Sequence, residues 1–231
     1  MQLNKIDLKK YEYYRTELGV LYHGDCLNIV PHLEPVDLVL TDPPYGLDKK
    51  LSEGAGKHKN AKFRKLYEGE TWDKKIDQRH FLAIFKISKN QIIFGANYYS
   101  MPPTRGIICW DKKQFMPTFS RWEYAWSSFD QPAKMYEIKN GRDPRVHPTQ
   151  KPIALGVQIL TEHGGTVLDT FAGAGSFLIA CERLNRRWIG IEIEEKYCEI
   201  AAKRIEKEVR RPSFSKMKRK EVKRFKLSEL P

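Results

Sequence analysis

The residues Asp42-Pro43-Pro44-Tyr45 carry the most specific chemical signal in this 231-residue chain. A carboxylate (Asp42) and a backbone carbonyl (Pro43) can act together as hydrogen-bond acceptors, and two consecutive prolines stiffen the loop that presents them. Such a pair suits the attack of an aromatic amine on an electrophile. The lone pair of that amine is delocalised into its ring, so the nitrogen needs acceptors that pull on its N–H bonds as it becomes tetrahedral. Tyr45 adds a flat face on which a base rotated out of a duplex can stack. The blander reading, a Pro-rich turn with a packed tyrosine, accounts less well for a tetrapeptide placed directly after an apolar strand.

A second signal runs from Val167 to Ser176, Val-Leu-Asp-Thr-Phe-Ala-Gly-Ala-Gly-Ser. A strand ends in an acid (Asp169), a glycine turn follows (Phe171, Gly173, Gly175), and a helix begins at once. Glycines there let the backbone approach a ligand at the carboxyl end of an open α/β sheet. Glu192 ends the next strand, placed to accept hydrogen bonds from two ribose hydroxyls. The third glycine of a dinucleotide fingerprint is absent, because Leu178 occupies its position. A nucleoside without phosphate therefore fits better than a pyrophosphate.

The elements that must position these residues follow from hydrophobic pattern and breakers. Pro35 to Leu40 reads as a buried strand that the two prolines terminate. The Gly- and Lys-rich residues 46–70 show no hydrophobic period and read as a long mobile loop. A helix is expected over Asp77–Ser88, and strands over Gln91–Phe94, Gly106–Trp110 and Trp122–Ser127. Pro152–Glu162 reads as a helix, with proline at an early position where its missing N–H does no harm. Then come a strand (Thr166–Asp169), a helix (Ser176–Leu184), a strand (Arg187–Glu192) and a last helix (Glu195–Val209). This alternation predicts an α/β fold, a mostly parallel sheet with helices on both faces.

The formal charge of +12 is unevenly placed. Lys203–Lys226 holds 12 Lys/Arg against 3 acidic residues, and Lys49–Lys65 holds 7 against Glu53 alone. Clustered positive charge attracts a polyanion, of which nucleic acid is the commonest in cells. For the tail alone, a solvated basic segment is an equal reading. No apolar run reaches the ~20 residues that span a bilayer, and the first twenty residues lack an apolar signal core. A soluble intracellular protein without membrane contact is expected. Cys26, Cys109, Cys181 and Cys198 show no C-x-x-C or zinc-ligand spacing, so they read as reduced packing residues and no metal is expected.

Asp42–Tyr45 and Asp169–Gly175 together resemble the amino-group (N6-adenine/N4-cytosine) DNA methyltransferases. His147-Pro-Thr-Gln-Lys-Pro152 is similar to the segment that precedes the cofactor glycine loop in those enzymes. With the tetrapeptide ahead of that loop, the motif order resembles the beta class, a circularly permuted Rossmann-like S-adenosylmethionine-dependent methyltransferase fold. The likeness runs from about Leu21 to Arg204. It implies a methyltransferase catalytic domain at 21–209, preceded by an N-terminal extension (1–20) and followed by a basic C-terminal tail (210–231).

The resemblance also implies roles. Asp169 and the Phe171–Gly175 turn would lie by the methionine and adenosine parts of S-adenosylmethionine, Glu192 by the ribose and Asp25 by the adenine. Thr149 and Lys151 would lie near the methionine carboxylate. Asp42 and Pro43 would accept from the target amine, with Tyr45, and Phe171 as a second candidate, holding the flipped base. Phe94–Tyr99, Trp110–Lys112 and Phe119–Glu123 resemble the strands that complete the base pocket. The implied activity is site-specific methylation of adenine N6 in DNA, in a cytoplasm of prokaryotic or phage type. Cytosine N4 and a catalytically inactive DNA-binding relative are the alternatives. A homodimer, a cognate restriction nuclease and the recognition sequence are left open. The Gly loop departs from the family pattern at Ala174 and Ser176–Phe177. The short stretch between Trp126 and His147 leaves little room for a target-recognition insert, a role the 46–70 loop is a candidate to share.

Overall fold

The computed structural model describes residues 7–47, 73–114, 120–141 and 145–211. Most of the expected mobile loop at 46–70 and nearly all of the basic tail lie outside them. The described residues form one nine-stranded sheet, in the order β1-β2-β9-β8-β3-β4-β6-β5-β7. The strands are β1 (Glu12–Arg15), β2 (Gly19–His23), β3 (Val36–Thr41), β4 (Ser88–Phe94), β5 (Ile108–Asp111), β6 (Trp122–Ser127), β7 (Lys134–Glu137), β8 (Val167–Asp169) and β9 (Trp188–Glu192). The five from β2 through β9, β8 and β3 to β4 pair in parallel, as do β5 and β7. β1 and β6 run antiparallel to their neighbours. The fold is α/β with a mostly parallel sheet, and β8, an interior strand between β9 and β3, comes eighth in the chain, as expected of a circular permutation.

Alternation along the strands sorts side chains to two faces. Leu38, Leu40, Ile92 and Phe94 join a core against helices α3 (Ile153–Glu162), α4 (Ser176–Arg183) and α5 (Glu195–Val209). Val39 and Ile93 face the other way, toward α1 (Cys26–Ile29) and α2 (Gln78–Ile87). Truncating one of these fully buried aliphatic residues to alanine is expected to cost ~2–5 kcal/mol. Local signals set the helix starts. Asp77 caps α2 through Arg79 N at 2.9 Å, and Pro152 is the N-cap of α3 rather than a residue within it.

The expected elements recur with their ends shifted by a few residues, and α2 passes directly into β4 at Ser88. Three strands, β1, β2 and β7, have no counterpart in the expectation, and β1 and β7 are the two edges. β1 and β7 read Glu-Tyr-Tyr-Arg and Lys-Met-Tyr-Glu, short and charged at both ends. Edge strands are half solvated and protected by charge, so they carry no apolar run. β1 also shows that the sheet begins inside the segment read as an N-terminal extension, because Glu12–Arg15 pairs with Val20–Tyr22.

Candidate active site

Three adjacent strands deliver the site. β3 leads into Asp42–Tyr45, β8 ends at Asp169 and β9 at Glu192. They lie side by side, with β9 following β8 on one flank and β3 on the other. This is the switch point at which open α/β sheets bind ligands. A cleft of about 670 Å³, its open mouth included, runs along these carboxyl ends. Asp42, Pro44, Thr149, Lys151, Asp169, Phe171, Gly173 and Glu192 all line it.

Asp169 is 2% exposed. Thr41, at the end of β3, donates its hydroxyl to Asp169 Oδ1 at 2.8 Å, and Phe171 N donates to the same oxygen at 3.1 Å. The first of these ties β3, which leads into the tetrapeptide, to the glycine-turn strand. Burial lifts the Asp169 carboxyl to about 7 against the pull of those bonds, with Asp42 and Glu192 adding to the rise. Glu192 accepts from Gly173 N at 2.7 Å and Glu194 N at 2.8 Å, and burial raises its carboxyl as well. The hydrogen-bond partners seen for both carboxylates are neutral.

Two expected ligands sit away from the cleft lining. Gly175 opens α4 with φ +75°, and a Cβ there would meet Ala201 Cβ at 3.0 Å, so this glycine shapes the turn against α5. Asp25 caps α1 by accepting from Leu27 N at 2.8 Å. It stands at the end of β2, whose next residue, Gly24, donates its N–H to Glu192 O at 2.9 Å. Asp25, Cys26 and His80 converge there, but burial first of all pushes the Cys26 thiol up to about 12, so it offers no thiolate near neutrality.

Asp42 has charged surroundings. Tyr45 donates its hydroxyl to one carboxylate oxygen, and the Lys151 ammonium holds the other. Lys151, 4% exposed in its side chain, also lies 3.1 Å from Glu123 Oε2 on β6. Lys112, next after β5, pairs with Glu123 Oε1. Burial raises Asp42, Lys151 opposes the rise and Glu123 adds to it; the net shift is upward. Burial would raise Glu123 too, yet Lys151 and Lys112 together hold it down at about 2. Lys151 was expected beside a methionine carboxylate; it lines the cleft with its ammonium on Asp42.

Further residues support the tetrapeptide, and of these Asp73 was not singled out from the sequence. Asp73, 3% exposed, accepts from Tyr45 N at 2.6 Å and Gly46 N at 3.1 Å, and also from Leu47 N. Tyr99 donates its hydroxyl to Pro44 O. The Tyr98 ring stacks on Tyr45, 4.8 Å between centroids and 19° between planes. Gly95 makes room for that ring, since a Cβ would come within 1.9 Å of Tyr45 Cε1. His147 lines the cleft against Tyr197, and burial, with four nearby cations, holds it down at about 3, hence neutral.

A family model described as DNA methylase, of the N6/N4 type, matches residues 119–203. The type II methyltransferase M2.DpnII of Streptococcus pneumoniae is 26% identical over 85% of this chain and 92% of its own. The type II methyltransferase M.HpaI of Haemophilus parainfluenzae is 26% identical over 79% of this chain and 74% of its own. Among solved structures, the cytosine-N4-specific PvuII DNA methyltransferase superposes with a TM-score of 0.58 at 18% identity, covering 94% of this chain and 95% of its own. A DNA modification methylase of Thermus thermophilus, complexed with S-adenosyl-L-methionine, gives 0.52 at 21% identity, over 84% and 97%. In fold, motif positions and relatives alike, the chain is similar to the amino-group DNA methyltransferases. Among the described residues, no helix is long and apolar enough to cross a membrane.

Proposed function

We propose that this chain transfers a methyl group from S-adenosylmethionine to N6 of an adenine rotated out of a DNA duplex. The observation that carries the reading is the placement of Asp42, with Tyr45 hydrogen-bonded to it, on the same cleft as Asp169 and Glu192. The cofactor, when bound, supplies an electrophilic methyl on a sulfonium. Its other end is an amino acid and a ribose, which suits a cleft whose two buried carboxylates are held by neutral donors. Asp169, the Phe171–Gly173 turn and Thr149 hold the methionine and adenosine parts, Glu192 accepts from the ribose, and Asp25 closes the adenine end.

On the other side, Tyr45 offers its ring for stacking. Asp42 and the Pro43 carbonyl accept hydrogen bonds from the two amine N–H groups while the nitrogen attacks the methyl in line; the sulfonium sulfur leaves as a thioether and the nitrogen gives up one proton. Asp42 begins with both oxygens engaged, so the amine replaces one of its present partners. Asp rather than Ser at the first position of the tetrapeptide favours adenine over cytosine.

The test is to incubate the protein with methyl-labelled S-adenosylmethionine and unmethylated DNA, digest to nucleosides and identify the product by mass spectrometry. N6-methyladenine from the wild type and none from Asp42→Ala is the expected result. N4-methylcytosine would keep the mechanism and overturn the base. Measurable cofactor binding without labelled DNA would overturn the activity.

A further inference from the structure

Four buried or half-buried charges alternate in sign across the catalytic side of the sheet, Lys112, Glu123, Lys151 and Asp42. They come from four separate stretches of chain and are joined end to end by ion pairs. Glu123 and Asp42 share the single ammonium of Lys151, but not on equal terms. Glu123 has a second cation, Lys112, whose ammonium also sits 5.4 Å from the Trp110 ring. Asp42 has half of one lysine and a tyrosine hydroxyl. Glu123 Oε2 is buried and accepts no hydrogen bond, and the cation in its reach is Lys151 at 3.1 Å.

We propose that Glu123 is a positioning residue for methyl transfer: by holding part of the Lys151 ammonium, it keeps Asp42 a strong hydrogen-bond acceptor for the target amine. Lys112, the second cation of Glu123, limits how much of that ammonium Glu123 draws. The inference rests on the activity proposed above and assigns two residues outside the motifs that define it. A buried ammonium bound wholly to Asp42 would neutralise the charge that must pull on the amine. Splitting it between two carboxylates leaves that charge partly uncompensated.

The other groups around Asp42 are Tyr45 from its own loop, Asp169 at the end of β8 and Tyr99 after β4. All are common to the variants compared below, so only differences between profiles count. Glu123→Gln removes a negative charge and hands Lys151 to Asp42, so Asp42 titrates lower. Lys112→Met leaves Glu123 dependent on Lys151, draws the ammonium away from Asp42, and makes Asp42 titrate higher.

The experiment measures single-turnover methyl transfer against pH, at saturating S-adenosylmethionine and DNA, so that product release drops out. For Glu123→Gln the acid limb should move down by about one pH unit. The plateau rate should fall about three- to tenfold, with cofactor affinity retained. For Lys112→Met the limb should move up. Limbs that coincide with wild type in folded variants overturn the proposal, as does movement of both in one direction. Thermal melting reports folding; if Glu123→Gln fails to fold, the sign of the Lys112→Met shift decides alone. An inert wild type, by contrast, sinks the activity reading itself.

Discussion

Two aspartates, Asp169 buried and Asp42 half-buried, stand at the ends of neighbouring strands of one sheet, and their surroundings differ in kind. Asp169 is met by a threonine hydroxyl and a backbone N–H. Asp42 is met by a lysine ammonium and a tyrosine hydroxyl. Neutral donors satisfy the geometry of a carboxylate without cancelling its charge, and burial outweighs their pull, so Asp169 holds its proton up to about 7. That suits a site whose guest brings positive charge of its own. Asp42 is balanced from within, by a lysine it shares with Glu123, which suits a neutral guest such as an amine. Burial is common to both; the sign of the charge next door separates their tasks.

Breaking the Asp42 side has the largest expected effect. Asp42→Ala should lower single-turnover methyl transfer by about 10²–10³-fold while calorimetry finds cofactor affinity nearly unchanged; loss of both together would mean that the two halves are not separable. Next comes Gly95→Ala. It places a methyl inside the Tyr45 ring at a backbone φ of +66°, and chemical denaturation should show a loss of about 3 kcal/mol. If Gly95→Ala melted like wild type, the close approach of Gly95 and Tyr45 would not hold in solution.

The Asp169 side is tested by Asp169→Asn, whose amide oxygen can still accept from Thr41 and Phe171 N. The folded carboxyl titrates above its unfolded value, so its contribution to stability is fully present below about pH 4 and is lost as pH rises through about 7. Asn escapes that loss. Urea titrations should show the variant about 2 kcal/mol more stable than wild type at pH 8, the difference closing toward pH 4. Cofactor affinity should move the opposite way. Wild-type affinity should tighten between pH 6 and 8 as Asp169 ionises, and the variant should bind about tenfold more weakly at pH 8 with a flat profile. The smallest effect belongs to Asp73→Ala, which frees three backbone N–H groups beside Tyr45. About 1 kcal/mol of stability should go, with a rate loss that leaves cofactor affinity alone.

Much of the sheet was legible from pattern. β3, β4, β5, β6, β8 and β9 are buried enough to read as apolar runs, and α5 matches its expected bounds, Glu195–Val209. β1, β2 and β7 were not; β1 and β7 are edge strands, which show water half their surface and spend their residues on charge. The glycine turn was legible as a unit, but the division of labour within it was not. Gly173 lies on the cleft while Gly175 faces α5, a distinction set by the packing of a helix that starts twenty residues later. Glu123 was noted only as the end of a pocket strand. Asp73 follows directly after the basic loop and carries no motif to mark it.

The sequence by itself determined which chemical groups exist and in what chain order they come. An acceptor tetrapeptide follows one strand, a glycine turn follows another, and an acid ends the next, which is enough to indicate the class of enzyme. Tertiary structure alone decided which charges meet. Lys112, Glu123 and Lys151 reach Asp42 because β6 enters between β4 and β5, bringing together residues up to 109 positions apart. Local pattern encodes the faces of a strand. It does not encode which strand lies beside it, and so it could not tell that one buried lysine would be shared by two acids.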